Sequence, residues 1–89
     1  GDVYKRQAYI ITAKPKEIAD MIMKDLDRGV TGISARGMYS GQDKLMLFCV
    51  VNKKEIVMLK EKVDEIDPEA FVIVTDAREV HGEGFIEKK

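Results

Sequence analysis

The most constraining feature of the sequence is an uninterrupted apolar run at residues 45–51, which reads Leu-Met-Leu-Phe-Cys-Val-Val. The run is far shorter than the ~20 residues that cross a bilayer as a helix, so it predicts a strand. Successive residues of the run are apolar, and both faces of that strand are therefore expected to be covered. Residues 70–75 have the same character and predict a second strand of this kind.

The remaining elements follow from periodicity and turn residues. Residues 8–12 predict a short first strand, and Pro15 begins a helix over residues 15–28. Gly29 follows this helix and is expected to stop it in the left-handed conformation. Residues 30–39 contain two glycines and predict an irregular edge strand, joined by a turn to a strand over residues 44–51. Asn52 and Glu55 resemble a capping box, and the helix they introduce ends before Pro68. Ile18 and Ile22 in the first helix, and Leu59 and Val63 in the second, recur at helical spacing and predict one apolar face on each helix. The predicted order is βαββαβ.

This order predicts an α+β, ferredoxin-like fold with a four-stranded antiparallel sheet and two helices on one face. Residues 8–89 are expected to form a single domain, and the polar residues 1–7 are interpreted as a linker or as added residues. Two helices cover only one face of the sheet. The open face is therefore expected to pack against another copy of the chain.

Composition excludes several classes of function. Fifteen basic and sixteen acidic residues give a net charge of −1 with the signs interspersed, which predicts no nucleic-acid partner. Cys49 is the only cysteine and His81 the only histidine, so the sequence predicts neither a disulfide framework nor a metal site, and no cofactor. A lone cysteine in an apolar strand is expected to behave as a small buried hydrophobe in a reducing, cytoplasmic setting.

Several short sequence segments, taken together, resemble those of a known family. The most specific are Arg-Gly-Val-Thr at residues 28–31, Asp-Pro-Glu-Ala-Phe at residues 67–71 and Gly-Glu-Gly-Phe at residues 82–85. Their order resembles the C-terminal domain of YitT-family bacterial membrane proteins. The resemblance implies a cytoplasmic domain that follows transmembrane helices, with a fold similar to the PII-like signal proteins, which typically form trimers and bind nucleotides between subunits. It implies no established activity.

The closing segment is the foremost candidate for ligand binding. It contains Asp76, His81, Gly82, Gly84 and Phe85, and backbone amides at the glycines could cradle an anion or approach a nucleotide. The competing interpretation is a glycine turn that directs Phe85 onto the core, and glycine turns are common.

Two further candidates lie nearer the middle of the chain. Arg28 and Thr31 could grip a phosphate or carboxylate, although an arginine at a helix C-terminus more often complements the helix dipole. Gly37 and Tyr39 lie at the hairpin tip, where PII-like proteins carry a functional loop. Here the connection is short, and a turn with an exposed tyrosine is the simpler interpretation.

These observations favour a non-catalytic regulatory, ligand-sensing or assembly domain that oligomerises through its open sheet face. One alternative is an acylphosphatase-type hydrolase, but the chain has one asparagine, Asn52, which resembles a helix cap. A second alternative is a purely structural oligomerisation module. A third is an RNA-binding module, which stacks bases on aromatic residues of the central strands. Only Tyr9 and Phe48 are available for that role, on an acidic chain.

Overall fold

The computed structural model of the protein describes residues 5–76. Its elements follow the predicted order: β1 Lys5–Ile11, α1 Pro15–Asp25, β2 Thr31–Arg36, β3 Asp43–Asn52, α2 Glu55–Ile66 and β4 Phe71–Asp76. The α+β, ferredoxin-like prediction is confirmed. Neither α1 nor α2, the helices of the described part, is long and apolar enough to cross a membrane.

The four strands form one antiparallel sheet in the order β2-β3-β1-β4. The apolar run that dominates the sequence lies in β3, and β3 is a central strand paired on both sides. The outer strands are β2 and β4. Because side chains alternate across a sheet, this register decides which apolar residues meet the helices and which do not.

The hydrophobic core lies between the sheet and the two helices. From α1 and α2 it takes Ile18, Ile22, Leu59 and Val63, each at most 2% exposed. Alternate residues of the central strands complete it: Ala8, Ile10, Leu47, Cys49 and Val51. Burial of this apolar surface is the main favourable contribution to folding, and it involves one face of the sheet only.

Helix α1 ends earlier than its sequence pattern predicts. It ends at Asp25, and the left-handed conformation expected at Gly29 is found instead at Asp27, which has φ of 56°. Aspartate tolerates this region of φ/ψ better than most residues. The backbone N–H of Leu26 still donates to the Ile22 carbonyl, so the last helical turn is closed before the chain turns.

The beginning of α2 also differs from the prediction. The N-cap position is occupied by Lys54, and the Asn52 side-chain oxygen accepts no cap hydrogen bond. The other half of the expected capping box does form, because the Asn52 backbone N–H donates to Glu55 Oε1 at 2.7 Å. The strand bounds shift as well: β1 begins at Lys5, whereas the sequence predicts its start at Ala8. Pairing with β3 holds these polar residues in the sheet despite their weak strand propensity.

Candidate functional site

The sheet surface turned away from the helices is apolar, and we name it the open face. Its position follows from the register: Tyr9 lies opposite Phe48 on one side and opposite Ile73 on the other. Ile11 lies in the same way between Met46 and Phe71. The apolar members of the open face are Tyr9, Ile11, Ile33, Met46, Phe48, Val50, Phe71 and Ile73. Four strands contribute to one continuous surface.

Exposure on the open face is high for apolar side chains. Phe71 is 68% exposed, Ile73 48% and Ile33 36%, whereas the core residues of the opposite face are almost fully covered. At the centre, the Tyr9 and Phe48 rings lie 5.1 Å apart between centroids with an interplanar angle of 47°. Tilted aromatic pairs of this kind are favourable and hold both rings in place. The centre of the open face is therefore formed by two aromatic rings in mutual contact.

Polar residues border the open face at both ends of the strands. At one end the Thr75 hydroxyl donates to Gln7 Oε1 at 3.1 Å, and at the other end Lys44 precedes Met46 along β3. Between these ends the apolar rows extend roughly 19 Å across the strands and about 14 Å along them. An apolar centre with a polar rim is typical of interaction surfaces, and patches of a few hundred Å² on a monomer are often functional.

The structure brings Arg28 and Thr31 together, as one prediction requires. Both line a groove of about 470 Å³ that also contains Lys5 and Val50. The Arg28 guanidinium, however, donates from Nε and Nη2 to the Glu55 carboxylate at 3.1 to 3.2 Å. This fork-like ion pair already neutralises the cation, so an anion at the groove would compete with Glu55 for it. The sequence predicted either an anion site at Arg28 or a role for Arg28 at the helix dipole, and neither interpretation included Glu55.

The hairpin tip is a tight turn with exposed side chains. The Gly37 N–H donates to the Gln42 carbonyl at 2.9 Å, and a Cβ at Gly37 would lie 2.8 Å from Ser40 Oγ. Gly41 has φ of 74°, a conformation that favours glycine. Tyr39 is fully exposed at this tip. The geometry agrees with the turn interpretation. A ligand role for Gly37 and Tyr39 stays a prediction.

The closing segment lies almost entirely outside the described residues. Asp76 is the last described residue of β4, and its Oδ1 forms an ion pair with Arg6 Nη1 at 3.1 Å. This ion pair links the ends of β1 and β4 at the surface. His81, Gly82, Gly84 and Phe85 lie beyond residue 76, so the anion-cradle hypothesis for them stays a prediction.

Sequence reasoning missed a buried polar network between Thr12 and Asp67. The Thr12 hydroxyl donates to Asp67 Oδ2 at 2.6 Å, and the Ala13 N–H donates to the same oxygen at 3.2 Å. The Glu69 N–H donates to Asp67 Oδ1 at 3.1 Å. The network ties the end of β1 to the connection between α2 and β4. The one indication of this network in the sequence was the segment at residues 67–71, which resembles the family named above and begins at Asp67.

These hydrogen bonds govern the titration of Asp67. The Thr12 hydroxyl is the largest influence and lowers the pKa of the Asp67 carboxyl, and the Glu69 and Ala13 amides and the Lys14 charge act in the same direction. Burial opposes them by disfavouring the charged form. The net effect is a lowered pKa, so Asp67 is ionised at neutral pH. An ionised acceptor held by three donors is typical of a structural tie.

Residues 5–76 contain no group of side chains suited to metal binding. Within that range no three His, Cys, Asp or Glu side chains are grouped as metal ligands. Cys49 is buried, and burial, with a smaller contribution from the negative charge of Glu55, raises its pKa to about 11. The thiol therefore stays protonated at neutral pH and packs as a small hydrophobe, as its sequence context predicts.

Comparisons with known proteins agree with the resemblance seen in the sequence. Residues 28–82 match the family described as "Uncharacterized protein conserved in bacteria (DUF2179)". The UPF0750 membrane protein YxkD of Bacillus subtilis is 45% identical over 83 residues, which cover 93% of this chain and 30% of that protein. The UPF0750 membrane protein YitT of Bacillus subtilis is 32% identical over 78 residues, covering 88% of this chain and 28% of that protein.

A solved structure agrees as well. The crystal structure of a DUF2179 protein from Eubacterium ventriosum has a TM-score of 0.70 and 38% identity, and the match covers 80% of this chain and 97% of that one. By contrast, the chain spans about three tenths of the length of the two curated relatives named above. The similarity to those membrane proteins therefore concerns one part of each of them.

Proposed function

The chain belongs to the DUF2179 family, and we propose that it is a non-catalytic assembly domain that brings copies of a bacterial membrane protein together through its open face. The observation that carries this proposal is the open face itself. An apolar surface with a polar rim, formed by all four strands, is unfavourable to leave in water, and covering it is favourable. A second copy offers a surface of the same shape and chemistry.

The membrane setting supports self-association. The relatives YxkD and YitT are named membrane proteins, and the chain corresponds to a minor part of each. We propose that this domain lies on the cytoplasmic side and is attached to a membrane-spanning portion. Attachment to one membrane raises the effective concentration of the domains, so a small interface suffices. The isolated domain, with an apolar patch of only a few hundred Å², is expected to associate weakly.

The number of copies stays a prediction. The PII-like resemblance implies three, whereas two open faces packed directly on each other form a pair. Sedimentation velocity and light scattering of the isolated chain, over a wide concentration range, measure this number. We expect the average mass to rise with concentration.

A charge on the open face tests the proposal directly. Ile33→Lys places an ammonium on the open face, and we expect it to weaken this self-association at least tenfold because burying the charge is unfavourable. Val57→Lys is the matched control, since Val57 is 63% exposed on α2, away from the sheet. Equal association by the two variants and the parent would contradict the proposal. Docking of the open face onto the membrane-spanning portion would then be the better account.

A second candidate function is the binding of a small anion or nucleotide between subunits. The observation in its favour is the groove that Lys5, Arg28 and Thr31 share. Because Glu55 holds Arg28, we expect Glu55→Gln to release the guanidinium and tighten binding of inorganic phosphate or ATP, measured by calorimetry. Arg28→Gln is expected to abolish the binding. Absence of binding to the parent chain and to both variants would exclude this groove as an anion site.

A further inference from the structure

The two edge strands of the sheet differ in whether their residues oppose pairing with a further strand. The outer strand β2 has the sequence Thr-Gly-Ile-Ser-Ala-Arg, and its Arg36 forms an ion pair with Asp43 at 3.0 Å. The other outer strand, β4, reads Phe-Val-Ile-Val-Thr-Asp and contains no lysine, arginine, proline or glycine. Within residues 5–76, β4 pairs only with β1, and no strand lies on its outer side.

An unprotected edge of this composition is a template for strand pairing. In the part of the chain that the structure describes, its outward N–H and C=O groups have no ladder partners. Proteins that stay monomeric usually protect such edges with charge, proline, a bulge or a covering loop. Glycine and a charged residue weaken β2 as a template. β4 has high strand propensity, and among residues 5–75 none protects its outer edge in this way.

We infer that β4 pairs antiparallel with β4 of a second copy, with Ile73 opposite the partner's Ile73. In this register Val72 lies opposite the partner's Val74, and Phe71 opposite the partner's Thr75. The strand is thus complementary to itself. Asp76 causes no repulsion across the two-fold axis, because its carboxylate is already paired with Arg6 of its own chain and the two copies of Asp76 lie at opposite ends of the paired strands.

Alternation of side chains selects this register over its neighbours. Ile73 belongs to the open face, and Val72 and Val74 point towards the helices. A shift that placed Ile73 opposite the partner's Val74 would put one open face beside the other copy's helix layer. With Ile73 opposite its equivalent, both helix layers lie on one side of a continuous eight-stranded sheet, and the two open faces join on the other side.

The edge contact is independent of the proposed face contact. It is made by backbone hydrogen bonds of β4, whereas the face contact is made by side chains that include Ile33 on the far strand. A two-fold edge contact produces an even number of copies. The joined open face is also twice as large as that of one chain, which makes its coverage more favourable.

Cross-linking of the full chain tests the register. In an antiparallel pair, directly opposed Cα atoms lie about 4.5 or 5.5 Å apart, within disulfide range. We expect Ile73→Cys to form a covalent dimer under mild oxidation at a rate at least tenfold above Phe71→Cys. Residue 71 is more exposed, but in this register it lies about 14 Å along the strand from its equivalent. The native Cys49 is 2% exposed and does not contribute.

Other occupants of the edge give different results. If residues 77–89 of the same chain cover β4, Ile73→Cys forms no dimer in the full chain and forms one only after truncation at Asp76, which overturns the inference. Equal cross-linking at positions 71 and 73 also overturns it, because that result means random collision. Ile33→Lys combined with Ile73→Cys separates the two proposals. Cross-linking that persists after the loss of face association shows that the edge contact forms without the face contact, whereas loss of cross-linking in this double variant overturns the inference.

Hydrogen exchange supplies a second readout that needs no substitution. Edge pairing protects outward amides of β4, so their exchange is expected to slow as protein concentration rises, while the amides on the outer side of β2 exchange at an unchanged rate. Packing of open faces alone leaves the outward β4 amides unprotected. Identical exchange of β4 at all concentrations at which the chain self-associates would overturn the inference.

Discussion

The two faces of the sheet are built from the same strands and both contain apolar residues, yet they differ in burial. On the covered face Ile10 and Val51 are fully buried beneath the helices. On the open face Phe71 is 68% exposed and Ile73 48%. The difference arises because two helices can cover one face of a four-stranded sheet and no more. Hydrophobicity alone therefore does not tell which apolar residues stabilise the isolated fold.

The largest effect is expected on the covered face. Leu59→Ala removes a fully buried side chain of α2 and leaves a cavity, which we expect to lower the free energy of unfolding by about 2–5 kcal/mol. Urea denaturation followed by circular dichroism measures this change. Val57→Ala on the same helix is the control, since Val57 is exposed and its truncation leaves no cavity. Similar losses for both variants would show that the helix layer does not pack as described.

A smaller effect is expected at the edge of the covered layer. Thr12→Val keeps the side-chain shape but removes the hydroxyl that donates to Asp67, and we expect a loss of about 1–3 kcal/mol in unfolding free energy. Thr31→Val is a suitable control because Thr31 is exposed at the start of β2. A loss below the error of denaturation for Thr12→Val would mean that the network is not a structural tie.

The same network predicts a pH dependence. Because the pKa of Asp67 is lower in the folded state than its ordinary value of 3.8, its contribution to stability is fully present above that value and is lost as the pH falls through the folded pKa. Denaturation between neutral and acidic pH is expected to show this loss in the parent chain. Asp67→Asn should remove this loss, so that the free energy of unfolding changes less between neutral and acidic pH. If the stability of Asp67→Asn falls with pH as steeply as that of the parent chain, the pH dependence belongs to other carboxyl groups.

The smallest effect is expected on the open face. Ile33→Lys changes an exposed side chain on an edge strand, and we expect the unfolding free energy of the dilute monomer to change by no more than about 0.5 kcal/mol. The same substitution is expected to weaken self-association strongly. A large loss of monomer stability would show that the open face already contributes to the fold of a single chain, and the contrast between the faces would then be weaker than described.

The sequence by itself determined the order of the elements and most of the core. Apolar spacing at Ile18, Ile22, Leu59 and Val63 predicted the buried helix faces, and the β-branched runs predicted the strands, because these patterns are local. Element ends were predicted less well. Asp27 takes the left-handed conformation that the sequence suggested for Gly29, because local propensity is a weak preference that packing overrides.

Only the tertiary structure decided which side chains meet across long distances in the chain. It paired Arg28 with Glu55 and thereby occupied a predicted anion ligand, and it joined Thr12 to Asp67, 55 residues apart. It also decided, through strand order and register, which apolar residues of β1, β3 and β4 form the open face. Local periodicity shows that a strand has two apolar faces. Which face receives the helices depends on how distant segments pack, and no local pattern contains that information.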